Sequence, residues 1–383
     1  MLDSMTKEHK HIIRFSGFFK FIKKTLPFCN MMIKKGWFMR EFSGFQKGVN
    51  LGGWISQFSK YDEKHFESFI TEKDIEFISS LGFDHVRVPV DYIVLTDDEG
   101  RIKESGFRYL ENCRAWCEKY GLGMLIDLHE CYGYSFDPLK KDMDRKAFFY
   151  SEKLQERFFD LWREIAKRFN KYQETVAFEP LNEVVLPEVV DAWNCVCSKY
   201  ISMIREICPR TWIVIGGVNY NNVLSVPYIS VPLDERIVYN FHCYEPMVFT
   251  HQGAYWVEGM PLDFRIEYPK TLEEYRAISK DLSPTLAGAV FDPSIGEIGV
   301  DFFVDIFTPA LEKAEKDNVP LYCGEYGVID KAEGEYNIKW LRDIHTALRK
   351  FGIGRALWNY KEKDFGFVDD SFSSIRERFI EIL

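Results

Sequence analysis

From Gln46 to the C-terminus, short apolar runs alternate with longer stretches in which apolar positions recur every three or four residues. The short runs are "KGVNLGG" (47–53), "HVRVPV" (85–90), "MLIDLH" (124–129), "VAFEPLNE" (176–183), "WIVIGG" (212–217), "IVYNFHCY" (237–244), "VPLYCGEYG" (319–327) and "GRALWNY" (354–360). Apolar, β-branched and aromatic residues bounded by glycine or proline read as strands. Helical patterns separate them. One covers 71–82, where Thr71 and Asp74 offer caps and Gly82 a stop. Others cover about 105–120 (ended by Gly121), 152–172, 188–208 (ended by Pro209), 304–317 and 335–351. This alternation predicts right-handed crossovers and a parallel sheet. Eight such units predict an α/β fold, a (β/α)8 TIM barrel, with a doubly wound sheet as the alternative. The stretch 245–303, between strand 6 and strand 7, is too long for an ordinary crossover. It predicts a small inserted subdomain, or lid, over the barrel mouth.

Composition narrows the class. The chain has 383 residues, 46% hydrophobic, which suffices for one barrel-sized domain or two ordinary ones. Net charge is −10 and the pI about 5.5, against a binder of phosphate backbones, so nucleic acid is not an expected partner. Residues 1–40 hold nine Lys and Arg against Asp3 and Glu8; they contribute +7, and the rest of the chain −17. The domain division is therefore a basic leader (1–40), dispensable or an over-long gene start given Met31, Met32 and Met39, and a barrel domain (41–383). The leader's apolar stretch is broken by Lys20, Lys23 and Lys24, with no small-x-small cleavage site after it. A cytoplasmic location is the expectation, with secretion through a degenerate signal as the alternative. No run is long enough to span a membrane, and a monomer is expected. The nine cysteines form no C-x-x-C pair and no zinc spacing. Buried free thiols are expected, Cys195, Cys197, Cys208 and Cys323 among them.

Polar groups collect where the strands end, which is where a barrel carries its chemistry. Arg87, His129, Asn182, Glu183, His242, Tyr244, Glu325 and Trp358 come from six different strands. Two carboxylates among Arg, His, Tyr, Asn and Trp suit glycoside hydrolysis. That reaction needs a proton on the leaving oxygen and a carboxylate against the oxocarbenium-like carbon. Glu183 is the expected acid, its pKa held up by burial and a second negative charge. Glu325 is the expected nucleophile, kept ionised by Arg87 and Tyr244. Asn182 is placed to meet a sugar 2-hydroxyl. Trp358, Trp54, Tyr134 and Trp256 are candidate stacking platforms. Strand alternation puts Glu179 on the face of Glu183, one barrel layer deeper, with Asn182 opposite unless the strand end is irregular. A structural pairing of Glu179 with Arg87 is expected. His129–Glu130 lacks the H-E-x-x-H pattern, so neither metal nor cofactor is expected. "GYSFD" (133–137) falls short of a nucleophile elbow, and "GIGRAL" (352–357) of a dinucleotide turn.

The motifs "KGVNLGGW", "DHVRVPVDY", "DLHE", "FEPLNEVV", "VYNFHCY", "YCGEYGV" and "ALWNY" resemble, in order, the strand-end motifs of glycoside hydrolase family five, the cellulase-like enzymes. Through "GWISQ", "FITEKDIE", "WCEKYGLG" and "VFTHQ", the chain is most similar to the clostridial endoglucanase C group within it. The resemblance implies a retaining double displacement on β-1,4- or mixed-linkage β-1,3-1,4-glucans, with Glu183 as acid/base and Glu325 as nucleophile. It puts Arg87, His129, Asn182, His242, Tyr244 and Trp358 at active-site positions. Exo-β-1,3-glucanase and β-mannanase activities are the alternatives within the family, and a carbohydrate-binding pseudoenzyme is the alternative outside catalysis. Two departures stand near the cleft: Glu130 follows His129 where that group usually has a second His, and "CYGYSF" replaces its usual turn.

Overall fold

The computed structural model describes residues 40–282 and 296–383. Eight strands close into one parallel barrel in chain order: β1 (Lys47–Asn50), β2 (His85–Asp91), β3 (Gly123–Glu130), β4 (Val176–Glu179), β5 (Ile213–Gly216), β6 (Ile237–Cys243), β7 (Leu321–Tyr326) and β8 (Gly354–Leu357). β8 pairs with β1, so no edge is left open. Each lies on its expected run. Strands of a parallel barrel are covered on both faces, and seven of the eight are buried along nearly their whole length.

The main helices are α1 (Glu72–Ser80), α2 (Glu104–Tyr120), α3 (Glu152–Phe169), α4 (Val190–Ile207), α5 (Leu272–Leu282), α6 (Val300–Asp317), α7 (Gly334–Lys350) and α8 (Arg376–Ile382). Thr71 and Asp74 form a reciprocal cap on α1, as their spacing predicts. Gly121 ends α2 with a φ of +74°, a left-handed conformation that favours glycine. On α3 the aromatic stripe faces inward, burying Phe158, Leu161, Trp162, Ile165 and Phe169. β5 and β6 are joined by a short 3₁₀ segment (Val223–Tyr228) and loops, with no α-helix between them.

The lower end of the barrel is closed by Phe42 and Phe45, stacked 4.3 Å apart. They pack with Leu125, Ala177, Trp212, Val214, Val238, Tyr322 and Ala356. Polar groups begin above this apolar floor. After β6 the chain makes a helical turn (Met247–Thr250) and reaches α5, anchored to α7 by the Tyr268 hydroxyl on Asp343, 2.8 Å. Residues 283–295 of the expected insertion lie outside the described residues, as does the leader through residue 39. α6 already begins at Val300. Of the described cysteines, all free, Cys195 is exposed on α4, against expectation, while Cys197, Cys208 and Cys323 are buried. Among the described residues no helix is long and apolar enough to cross a membrane.

Candidate active site

The site is built upward from one buried guanidinium. Arg87, on β2, is fully enclosed and would be costly there unless every donor found an acceptor. Its Nε and Nη2 hold the two oxygens of Glu179 at 2.7 and 3.0 Å in a bidentate pair. Nη1 reaches Asn50 Oδ1 (2.9 Å) and Glu325 Oε1 (2.7 Å). Nη2 also meets Asn182 Oδ1 at 2.9 Å and Asp127 Oδ2 at 3.0 Å. The five N–H groups of Arg87 thus donate twice to Glu179 and once each to Asn50, Glu325 and Asn182, from β1, β4, β7 and the loop after β4, with Asp127 of β3 as an ion-pair contact beside them. Glu179 is completed from the far side by Asn240 Nδ2, 2.8 Å away. Burial lifts Asp127 and Glu179 to about 7, while Arg87 pulls both back down.

Above this layer stand the two glutamates. Glu325 accepts from Arg87 and, at Oε2, from the Tyr244 hydroxyl at 3.0 Å. β6 and β7 slip register after Phe241, which sets His242 directly beside Glu325. His242 Nδ1 lies 2.8 Å from Glu183 Oε1 and 3.6 Å from Glu325 Oε2. One oxygen of each glutamate and a ring nitrogen of His242 fall within 4.8 Å of one another. Burial, and after it the charge of Glu325, drives the Glu183 carboxyl well above the usual carboxylate range. Burial raises Glu325 as well, against the pull of Arg87 and then His129. Burial also pushes His242 well down, so its imidazole is neutral.

The β4 ladder ends at Glu179, and the next residues are irregular, with Glu183 itself at φ +36°. That break turns both Asn182 and Glu183 toward the centre, where strict alternation would part them. A non-glycine residue in this region costs about 1–2 kcal/mol unless its surroundings hold it there. Tyr134 does so: its hydroxyl donates to the Glu183 carbonyl (2.7 Å) and accepts from the Val185 N–H (2.8 Å).

The eight strand-end residues lie together at this end of the barrel, and Glu179 pairs with Arg87. The aromatic expectations divide. Trp54 is 1% exposed, packs against Tyr109 and donates from Nε1 to Phe66 O at 2.6 Å, so it belongs to the core and offers no sugar platform. Tyr134 is fully buried; its ring packs on Phe149, and it braces the Glu183 loop instead of facing the cleft. Trp256 is half-buried and packs beside Phe365, Trp358 and Tyr244. Trp358 lies parallel to the His129 ring, centroids 5.8 Å apart. Gly52 must be glycine here, because a Cβ would come within 2.6 Å of the Trp358 ring.

Sequence reasoning passed over Asn50, Asp127, Asn240 and Asn221, whose Nδ2 lies 3.4 Å from His242 Nε2. Three of these were visible as polar residues inside apolar strands, the signal that singled out Glu179. Glu130, beside His129, pairs with Lys140 and Ser135 and has no second histidine near it in sequence.

Residues 45–364 match the profile of the cellulase family, glycosyl hydrolase family 5. Endoglucanase C of Acetivibrio thermocellus is 40% identical over 342 residues, covering 88% of this chain and 98% of its own. Cellodextrinase A of Ruminococcus flavefaciens is 37% identical over 317 residues, covering 83% and 86%. Among solved structures, endoglucanase Cel5A from Thermotoga maritima superposes with a TM-score of 0.67 at 25% identity, covering 88% of this chain and 96% of that one.

Proposed function

From the premise that this chain belongs to glycosyl hydrolase family 5 and is an O-glycosyl hydrolase of the endoglucanase type, we propose that it cleaves β-1,4- or mixed-linkage β-1,3-1,4-glucans internally with retained anomeric configuration. The observation that carries the proposal is the approach of Glu183 and Glu325, oxygens within 4.8 Å. That approach suits the carboxyl separation of about 5–5.5 Å found in retaining enzymes better than the roughly 6.5–9.5 Å that makes room for water in inverting ones.

In the first step Glu325 attacks the anomeric carbon while Glu183 gives its proton to the departing oxygen. Arg87 and Tyr244 donate to Glu325, favour its carboxylate form and aim it. Glu183 keeps its proton because it is buried beside that negative charge. Once the leaving sugar departs, Glu183 is a base, and it deprotonates the water that releases the glycosyl group from Glu325. Asn182 spends its oxygen on Arg87, leaving Nδ2 buried without a partner among the described residues and able to donate to a hydroxyl of the bound sugar. Trp358 and Trp256 supply apolar faces for the sugar rings.

The test is a product profile on barley β-glucan, carboxymethylcellulose, laminarin and mannan, with NMR of the first anomer released. We expect oligosaccharides of mixed length from barley β-glucan, appearing as the β anomer. The α anomer first would refute retention. Glucose alone from laminarin would favour an exo-β-1,3-glucanase, and preference for mannan a β-mannanase.

A further inference from the structure

The imidazole of His129 is held at one nitrogen and unpaired at the other. Nδ1 lies 2.5 Å from Asp127 Oδ2, whereas Nε2 is buried without a hydrogen-bond partner among the described residues. The ring stands edge-on to Phe136 (4.8 Å) and parallel to Trp358. Asp127 precedes His129 by two residues on β3, so it sits on the same strand face one layer deeper. Nε2, across the ring from Nδ1, therefore lies on the side of the ring away from Asp127.

Asp127 Oδ2 has a second obligation, to Arg87 Nη2 at 3.0 Å. This is an ion-pair contact beside the hydrogen bonds from Nη2 to Glu179 and Asn182, and the positive charge next to Oδ2 disfavours a proton on that oxygen. The oxygen left to take up a proton is Oδ1, which has no hydrogen-bond partner among the described residues. The hydrogen in the contact with His129 then belongs to Nδ1 in either state of Asp127. We infer that Asp127 is a positioning residue that fixes His129 as the Nδ1–H tautomer, so that the Nε2 lone pair accepts from a hydroxyl of the sugar ring at the cleavage point. The inference rests on the glycosidase function proposed above. Burial lowers His129 to about 4, which keeps the ring neutral at working pH, as a lone pair at Nε2 requires.

A lone pair at that place accepts from a hydroxyl and repels a fluorine, which cannot donate. The first test is ¹⁵N NMR of the imidazole in the full chain, its signal assigned by its loss in His129→Asn. A protonated Nδ1 and bare Nε2 are expected; a protonated Nε2 overturns the inference. The second is kinetic, on aryl β-cellobiosides in which each hydroxyl of the sugar at the scissile bond is replaced in turn by fluorine. At one position the wild type should lose about tenfold or more in kcat/KM beyond the loss at the other positions. Asp127→Ala frees the tautomer, and the excess penalty there should shrink below about threefold. Asp127→Asn keeps an oxygen for both contacts, and should keep the penalty. An undiminished penalty in Asp127→Ala overturns the inference; if that variant fails to fold, the NMR result decides. Should the wild type leave every unmodified aryl glycoside intact while its His129 carries the proton on Nδ1, the glycosidase function fails and the tautomer stands.

Discussion

Glu183 and Glu325 have the same side chain and different surroundings, and that difference assigns their roles. Glu325 faces two donors, Arg87 and Tyr244, whereas among the described residues the Glu183 carboxyl is bonded to the neutral His242 alone. The acid is needed in proportion to how poor the leaving group is, whereas the nucleophile is needed for every substrate. Glu325→Ala should therefore reduce turnover of glucans and activated aryl glycosides alike, by about 10⁴-fold or more, with oligosaccharide binding preserved. Glu183→Ala should keep most of the first step on a dinitrophenyl glycoside while losing roughly 10²–10⁴-fold on barley β-glucan. Its rate on the activated substrate should also lose the alkaline decline that follows from Glu183 shedding its proton. Steady-state rates with both substrates between pH 4 and 9 decide the matter. Equal losses in the Glu183 variant would remove it from the acid role.

At the scale of elements, the loop after β4 depends on a residue from another strand's loop. Tyr134 follows β3, and its hydroxyl alone ties both the Glu183 carbonyl and the Val185 N–H. Tyr134→Phe takes this partner from the buried Val185 N–H, at a cost of about 1–3 kcal/mol, and from the part-buried Glu183 carbonyl. We expect a lower melting temperature, and a lower kcat on polysaccharide with KM nearly unchanged, because the bound sugar still meets Trp358 while the acid is no longer held in aim. An unchanged kcat would leave Tyr134 a packing residue only. The same loop marks the limit of what the chain shows unaided. The eight strands were legible because a parallel barrel buries both faces of each, leaving continuous apolar runs. The convergence of Arg87, His129, Glu183, His242 and Glu325 was legible because polar residues interrupt those runs at one end. Side-chain direction in the loops was not. Trp54 and Tyr134 occupy loops where no period fixes orientation, and both turn into the core. Nor did alternation foresee Asn182 beside Glu183, since it takes a left-handed residue to break the strand there. Asp127, Asn50 and Asn240 carry the same signal as Glu179, but only three-dimensional closure shows that one arginine, directly or through Glu179, ties them together.

On the scale of the whole molecule, the charge distribution governs which polymers reach the cleft easily. Residues 41–383 carry a net −17, and this acidic surface, not the buried carboxyl groups around Arg87, sets the field an approaching polymer meets. A neutral glucan does not sense this field. Carboxymethylcellulose offers the same backbone with added carboxylates and is repelled as it approaches. At about 10 mM salt the screening length is about 30 Å, comparable to a domain radius, and at 0.15 M it falls to about 8 Å. Raising the salt over that range should lower the KM for carboxymethylcellulose several-fold, with kcat little changed, because the field acts on encounter and not on the buried chemistry. The KM for barley β-glucan should stay within about twofold over the same range. Parallel shifts for both polymers would point to a salt effect on the protein itself. No shift for either would mean that the local field at the cleft mouth is not that of the acidic body.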